Sequence, residues 1–175
     1  MRIFLIGMPG SGKTYWMGQL AEQLHYQGVD MDRFIEEQTG STIPELFAIS
    51  EDHFRAQEKF ALEAIMHQYE DKVVIATGGG APCYKDNMQE MMAAGCVIYL
   101  ETKMESLLSN VQKSGVPRPL LVNGASQELA EKLSTLYRLR KEIYEQAHIK
   151  INADKATLAT FADAITQYLS DQNPT

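Results

Sequence analysis

Short runs that are apolar at every position alternate along the chain with longer stretches in which apolar residues return every three or four positions. Ile3-Phe4-Leu5-Ile6, Val73-Val74-Ile75-Ala76 and Val97-Ile98-Tyr99-Leu100 are of the first kind, which predicts strands covered on both faces. Gly28-Val29-Asp30 and Ile149-Lys150-Ile151 supply two shorter strands. Helical spacing fills the intervals. Trp16, Met17, Leu20, Ala21 and Leu24 predict a helix from Thr14 to about Gln27, and Phe34 with Ile35 opens one that ends near Gly40. Thr42-x-x-Glu45 has the form of a capping box with Pro44 in the first turn, and a longer helix is expected from Glu51 to Tyr69. Further helices are expected over Asp86 to Ala94, Met104 to Gln112 and Ser126 to Gln146. A last one carries the stripe Leu158, Phe161, Ala162, Ile165, Tyr168 and Leu169, with Ser170 to Thr175 frayed. Lys113 to Gly124, with two prolines, two glycines and Arg118, reads as a loop and a candidate lid. Five strands separated by helices predict a three-layer α/β/α domain with a parallel sheet.

Composition narrows the function classes. The 175 residues, 45% hydrophobic and 22% charged, suit one globular domain with a buried core. Sixteen Lys and Arg against 23 Asp and Glu leave a net charge of -7, which argues against broad binding to nucleic acid or anionic membrane. No apolar run approaches the length of a membrane span, and Met1 to Ile6 is too short for a signal peptide. Cys83 and Cys96 lack paired metal-ligand spacing, and His25, His53, His67 and His148 are scattered; the expectation is two free thiols in a reducing cytoplasm.

Candidate chemistry begins at Gly7-Met8-Pro9-Gly10-Ser11-Gly12-Lys13-Thr14, which fits G-x-x-x-x-G-K-[ST] between a predicted strand and a predicted helix. The glycines allow backbone N–H groups to face one anion, and the positive end of the following helix adds to the nest. Lys13 is expected to reach the β- and γ-phosphates of a nucleotide and the Thr14 hydroxyl to ligate Mg²⁺. Gly10, Ser11, Gly12, Lys13, Thr14 and Tyr15 are the expected ATP-binding residues.

Asp30-Met31-Asp32 follows the second strand, and alternation in an extended segment would put both carboxylates on one side with Met31 opposite. One carboxylate suits the Mg²⁺ shell through water and the other can act as base toward a substrate hydroxyl; Asp32 could equally cap the next helix. Arg55 and Glu58, three apart on a helix, suit an oriented guanidinium that binds a carboxylate, or a plain surface ion pair. Gly78-Gly79-Gly80 permits close backbone approach to a ligand, or is a flexible turn. Arg118 in the proline-stiffened loop suits charge neutralisation on a transferring phosphoryl group, or is solvated. Arg140 and Tyr144 share a helical face, while Arg138, Lys141 and Lys150 read as solvated charges.

Taken in order, Gly7 to Thr14, Asp30-x-Asp32, Phe54-Arg55-x-x-Glu58, Gly78 to Gly80, Arg118-Pro119-Leu120-Leu121 and Arg140-x-x-x-Tyr144-x-x-Ala147 resemble the shikimate kinases. These belong to the nucleoside monophosphate kinase-like P-loop proteins. The resemblance runs from Ile3 to about Asn152. It implies a five-stranded parallel sheet of order 2-3-1-4-5 in one kinase domain over 1–175, with a substrate-binding segment at about 31–60 and a lid at about 113–124. It implies transfer of the γ-phosphoryl group of ATP to the 3-hydroxyl of shikimate, on the route to chorismate and the aromatic amino acids. By the same analogy Asp32 holds the substrate hydroxyls and acts as base, Arg55 and Arg140 bind the carboxylate, and Gly78, Gly79 and Gly80 line the pocket. Glu58 supports Arg55, Thr14 and Asp30 serve Mg²⁺, and Lys13 and Arg118 meet the phosphates. A cytoplasmic monomer is implied as well.

Three positions depart from the family pattern: Met31 between the aspartates, Tyr15-Trp16 after Thr14, and Val111, beside Asn110, where an adenine-stacking arginine often stands. An adenine-side loop is expected near Asp154 and Lys155. The rival readings are a kinase for another small acceptor, such as gluconate or a nucleoside monophosphate, and a noncatalytic nucleotide-binding module.

Overall fold

A computed structural model of the chain describes residues 1–115, 119–121 and 126–172. Strands β1 (Arg2–Ile6), β2 (Gln27–Asp30), β3 (Val73–Ala76), β4 (Cys96–Glu101) and β5 (Ile149–Asn152) form one parallel sheet in the order β2-β3-β1-β4-β5. Helices α1 (Lys13–Leu24), α2 (Met31–Thr39), α3 (Ile43–Ile49), α4 (Glu51–Gln68), α5 (Asn87–Ala94), α6 (Met104–Ser114), α7 (Ser126–Tyr144) and α8 (Leu158–Gln172) flank it.

The strands that were apolar at every position lie at the centre, where both faces need cover; every residue of β3 is buried. Alternation along them divides the core. Phe4, Ile6, Ile75, Val97 and Tyr99 pack against Met31 and Ile35 of α2, Leu62 and Ile65 of α4, Met91 of α5, and Leu133 and Tyr144 of α7. Ile3, Leu5, Val74, Ile98 and Leu100 pack on the other face against Leu20 of α1 and Phe161 and Ile165 of α8. The edge strand β5 alternates instead, with Lys150 outward and ion-paired to Glu101 at 2.8 Å. Arg2 opens β1 and donates to the carbonyls of Tyr69, Met66 and Ala94, closing the C-terminal ends of α4 and α5.

Several boundaries differ from the sequence-based expectation, each for a local reason. The first helix stops at Leu24 rather than Gln27, because His25 turns left-handed (φ 54°) and Gln27 N–H already donates to Lys72 at the start of β2. The segment after β2 is not extended through Asp32: Asp30 caps α2, its Oδ1 accepting from the N–H groups of Asp32 and Arg33. Asp30 is therefore the capping aspartate and Asp32 lies in the first helical turn, with Met31 fully buried. Thr42 and Glu45 do form the capping box. Lys113 and Ser114 belong to α6 rather than to a loop, and Gly115, at φ 59°, is where that helix ends. Pro119–Leu121 is a short 3₁₀ turn. The tail is helical to Gln172, with Ser170 hydroxyl donating to Thr166 and Gln167 to Asp171.

At the edge of β4, the Val97 N–H donates to Nδ1 of His148 at 3.1 Å, so this imidazole is held neutral with its proton on Nε2. Burial lowers the His148 pKa from 6.5, so the contribution is present above pH 6.5 and is lost as pH falls through the lower folded value. His148→Leu is expected to cost about 1–2 kcal/mol at pH 8. It should also remove the acid-sensitive part of the stability profile below pH 6.5, read by urea denaturation at pH 5.5 and 8.

Candidate active site

The carboxyl ends of β1, β2 and β3 open into one cleft of about 1210 Å³, room for a nucleotide and a small acceptor together. The loop leaving β1 is shaped by left-handed glycines, Gly10 at φ 85° and Gly12 at φ 86°, the latter standing before the first turn of α1. A Cβ on Gly10 would sit 3.0 Å from both the Leu107 carbonyl and Val111. Asn110 Nδ2 donates to the Gly10 carbonyl at 2.8 Å, so α6 braces the loop from behind. Lys13 Nζ arches back to the carbonyls of Gly7 and Met8 at 2.9 and 3.0 Å, which sets the ammonium over the cradle. Ser11 is buried in the loop, whereas Tyr15 is 62% exposed at the rim. Its ring is edge-on to Trp16, which in turn packs on Phe161.

Thr14 Oγ1 donates to Asp30 Oδ2 at 2.6 Å, joining the helix start of α1 to the end of β2. A hydroxyl and a carboxylate are hard oxygen donors, the pair that Mg²⁺ takes alongside water and phosphate oxygens. Among the described residues no group of three or more His, Cys, Asp or Glu could hold a metal by itself. Such an ion would thus need ligand oxygens to complete its shell. Asp32 lies farther along the same wall, near Gly78, where an added Cβ would stand 3.2 Å from its Oδ1.

Across from the phosphate loop, α4 delivers Arg55 and Glu58 to the cleft three residues apart, hence on one face. Both are buried, Arg55 8% and Glu58 1% exposed, and Arg55 Nη1 donates to Glu58 while Nη2 donates to Glu51 at 3.2 Å. The guanidinium carbon lies 5.3 Å from the Phe54 ring centre and 5.8 Å from that of Phe47, and these two rings stack at 4.2 Å. Burial works against the charge of Arg55, but Glu58 and Glu51 outweigh it and raise its pKa above the usual value. Glu58 takes the cost: burial pushes its carboxyl up to about 7, with Arg55 pulling the other way.

The glycine turn is fitted to this pair. A side chain on Gly78 would collide with Oε1 of Glu58, and one on Gly80 with the Arg55 guanidinium. Gly79 approaches Pro9 of the phosphate loop, and a Cβ there would lie 3.4 Å from Nη1 of Arg140. The Tyr144 hydroxyl donates to the Gly79 carbonyl at 2.5 Å. One turn of α7 thus holds the glycine segment through Tyr144 and presents Arg140, 7% exposed, beside it.

Lys13, Thr14, Asp30, Asp32, Arg55, Glu58, Gly78, Gly79, Gly80 and Arg140 all line this cleft. Arg118 lies outside the described residues. Residues that the sequence reading did not single out also line it: Phe47, Thr77, Thr102 and Ala153 among them. Phe47 belongs to α3, and no spacing ties it to Phe54 across a helix boundary. Asp154 lies in the loop expected on the adenine side; its Oδ2 accepts from Lys103 N–H at 2.8 Å and pins that loop to the start of α6.

A family model described as shikimate kinase matches residues 9–170. The chain is 37% identical over 168 residues to a shikimate kinase of Clostridium botulinum (strain Alaska E43 / Type E3), with 96% of each chain covered. Its fold superposes on a crystal structure of shikimate kinase from Bacteroides thetaiotaomicron with a TM-score of 0.85, at 32% identity over 98% of this chain and 97% of that one. Shikimate kinase from Acinetobacter baumannii in complex with shikimate gives 0.86, also at 32% identity, covering 99% and 95%. With the phosphate loop, the paired arginines and the sheet order in the same frame, the chain belongs to the shikimate kinase family.

Proposed function

We propose that this chain transfers the γ-phosphoryl group of ATP to the 3-hydroxyl of shikimate, giving shikimate 3-phosphate and ADP for aromatic amino-acid biosynthesis. The observation that carries this reading is the pair of buried guanidiniums, Arg55 and Arg140, at the glycine turn in the same cleft as the phosphate loop. A polyhydroxylated monocarboxylate is complementary to two cations flanked by one aspartate. Arg55 offers its remaining N–H groups to the acceptor carboxylate, and Arg140 meets the same group from α7.

Asp32 holds the reacting hydroxyl and takes its proton as the O–P bond forms. Gly78 to Gly80 let the acceptor ring lie against backbone. The N–H groups of Gly10, Ser11, Gly12, Lys13 and Thr14 bind the phosphates, and Tyr15 covers the rim of the nucleotide seat. Lys13 moves from its carbonyl partners to the β- and γ-phosphates, and Arg118 adds charge from the lid. Thr14 and Asp30 hold Mg²⁺, which when bound neutralises charge on the transferring phosphates. Little covalent chemistry is asked of the protein; alignment and charge complementarity supply the acceleration.

In this reading residues 1–175 form one kinase domain with its acceptor segment at 31–60 and lid at 113–124. It works as a cytoplasmic monomer. Two free cysteines fit a reducing compartment, and among the described residues no helix is long and apolar enough to cross a membrane.

ADP formation with MgATP is expected with shikimate and not with gluconate, AMP or no acceptor; turnover with gluconate or AMP instead would sink the roles of Arg55 and Arg140. Lys13→Ala and Asp32→Asn are each expected to lower kcat by about 10²–10⁴ while the folded circular dichroism signal persists. Near-normal kcat in either would refute that role. Arg55→Ala is expected to raise the shikimate KM by roughly 10- to 100-fold, with a smaller change in the ATP KM. An unchanged shikimate KM there would remove the carboxylate contact from the account.

A further inference from the structure

Glu58 is a carboxyl group in an unusual position: 1% exposed, on the wall of a cleft built for an anion. One of its oxygens accepts from Arg55 Nη1, and the other lies against the backbone of Gly78, where not even a methyl group would fit. The charges that face it can be named element by element. From α4 come Arg55 and, behind it at the rim, Glu51; from α2 comes Asp32; from α7 comes Arg140; from the turn after β3 comes the thiol of Cys83. Lys59, the next residue of α4, is engaged elsewhere by Glu63, Asp86 and Glu90.

With Glu58 and Asp32 ionised, the two arginines are already neutralised inside the cleft. A bound acceptor carboxylate is then a third anion competing for the same two cations in a place with little water to screen it. The buried member of the set can relieve this by accepting a proton, whereas the arginines cannot lose one and Glu51 faces solvent. We propose that Glu58 takes up a proton when the acceptor carboxylate binds beside Arg55 and Arg140, so that the occupied site carries one anionic charge fewer than its carboxyl groups would suggest. The inference rests on the acceptor being a monocarboxylate held by these arginines.

Its direction is fixed by linkage. If the ligand binds the protonated site better, its affinity falls as pH rises through neutrality. The group's resting value of about 7 places the effect where it can be measured. A further rise of one unit on binding corresponds to roughly half a proton taken up per ligand at pH 7.5, and to about a tenfold weakening of Kd between pH 6 and 9.

The test is isothermal titration of shikimate into the protein at pH 7.5, in buffers of differing ionisation enthalpy, with ADP formation assayed in parallel. Wild type is expected to show buffer-dependent heat equivalent to about half a proton taken up. Glu58→Gln, which keeps an oxygen for Arg55, is expected to bind with none and with a flat pH profile. Buffer-independent heat in wild type, or equal uptake in the variant, would overturn the proposal. Should the variant fail to fold, ¹³C-carboxyl NMR of glutamate-labelled wild type decides the matter. A buried glutamate whose titration moves to higher pH on adding shikimate supports the proposal, and one that does not move overturns it. Absence of both binding heat and shikimate-dependent ADP would instead defeat the functional reading, and this inference with it.

Discussion

A guanidinium and a carboxylate buried side by side have to satisfy one another, and around Arg55 and Glu58 that requirement dictates much of the cleft. Desolvating either one alone costs several kcal/mol, so their mutual hydrogen bond is the condition for burying both. It needs α4 to present the two residues on one face, and it needs Gly78 and Gly80 to be glycine, since any Cβ would occupy the space of the pair. It also explains the Phe47 and Phe54 rings, which give the guanidinium a polarisable floor and join α3 to α4. The glycine turn is thus shaped on one side by a buried ion pair and on the other by the Tyr144 hydroxyl.

This arrangement reaches the nucleotide side through the sheet. β1 and β3 are neighbours in register, Leu5 opposite Ala76, so the phosphate loop and the glycine turn leave the sheet at the same level. Pro9 stands so near Gly79 as a result that an added Cβ there would lie 3.1 Å from its ring. β2 ends on the other side of β3 with Asp30 opposite Ala76; the Thr14–Asp30 hydrogen bond ties the start of α1 to that strand end, and Asp32 lies near Gly78. Parallel strands with aligned ends bring the phosphate loop and the glycine turn to one edge of the sheet, where Asn110 and Tyr144 then brace them.

Much of this was legible in the sequence, and the reasons differ by element. The central strands could be read because burial on both faces leaves no polar residue in them, and the phosphate loop because its glycines and lysine occur at fixed spacing between a strand and a helix. Arg55 and Glu58 were readable as partners because both sit on one helix. Which aspartate caps α2 is not legible, because whether a D-x-D segment stays extended depends on which carboxylate captures the next N–H groups, and both orders have the same residue pattern. α6 runs two residues past the expected Gln112, since Gly115 rather than Lys113 stops it. Phe47 and the Asn110 brace leave no sequence signal: Phe47 meets Phe54 across the break between α3 and α4, and Asn110 reaches a loop 100 residues away, so no periodicity announces either.

The chain contains a single tryptophan, and it sits in the first turn of α1 with its ring 3.6 Å from where a Cβ on Gly12 would lie. Its other side rests on Phe161 of α8. Indole emission from this protein is therefore the signal of one residue, placed between the phosphate loop and α8 in a single layer of the fold. Trp16 at this departure from the family pattern lines the same cleft as the phosphate loop, so the chain carries one native fluorophore on that wall and no second indole to confuse its signal.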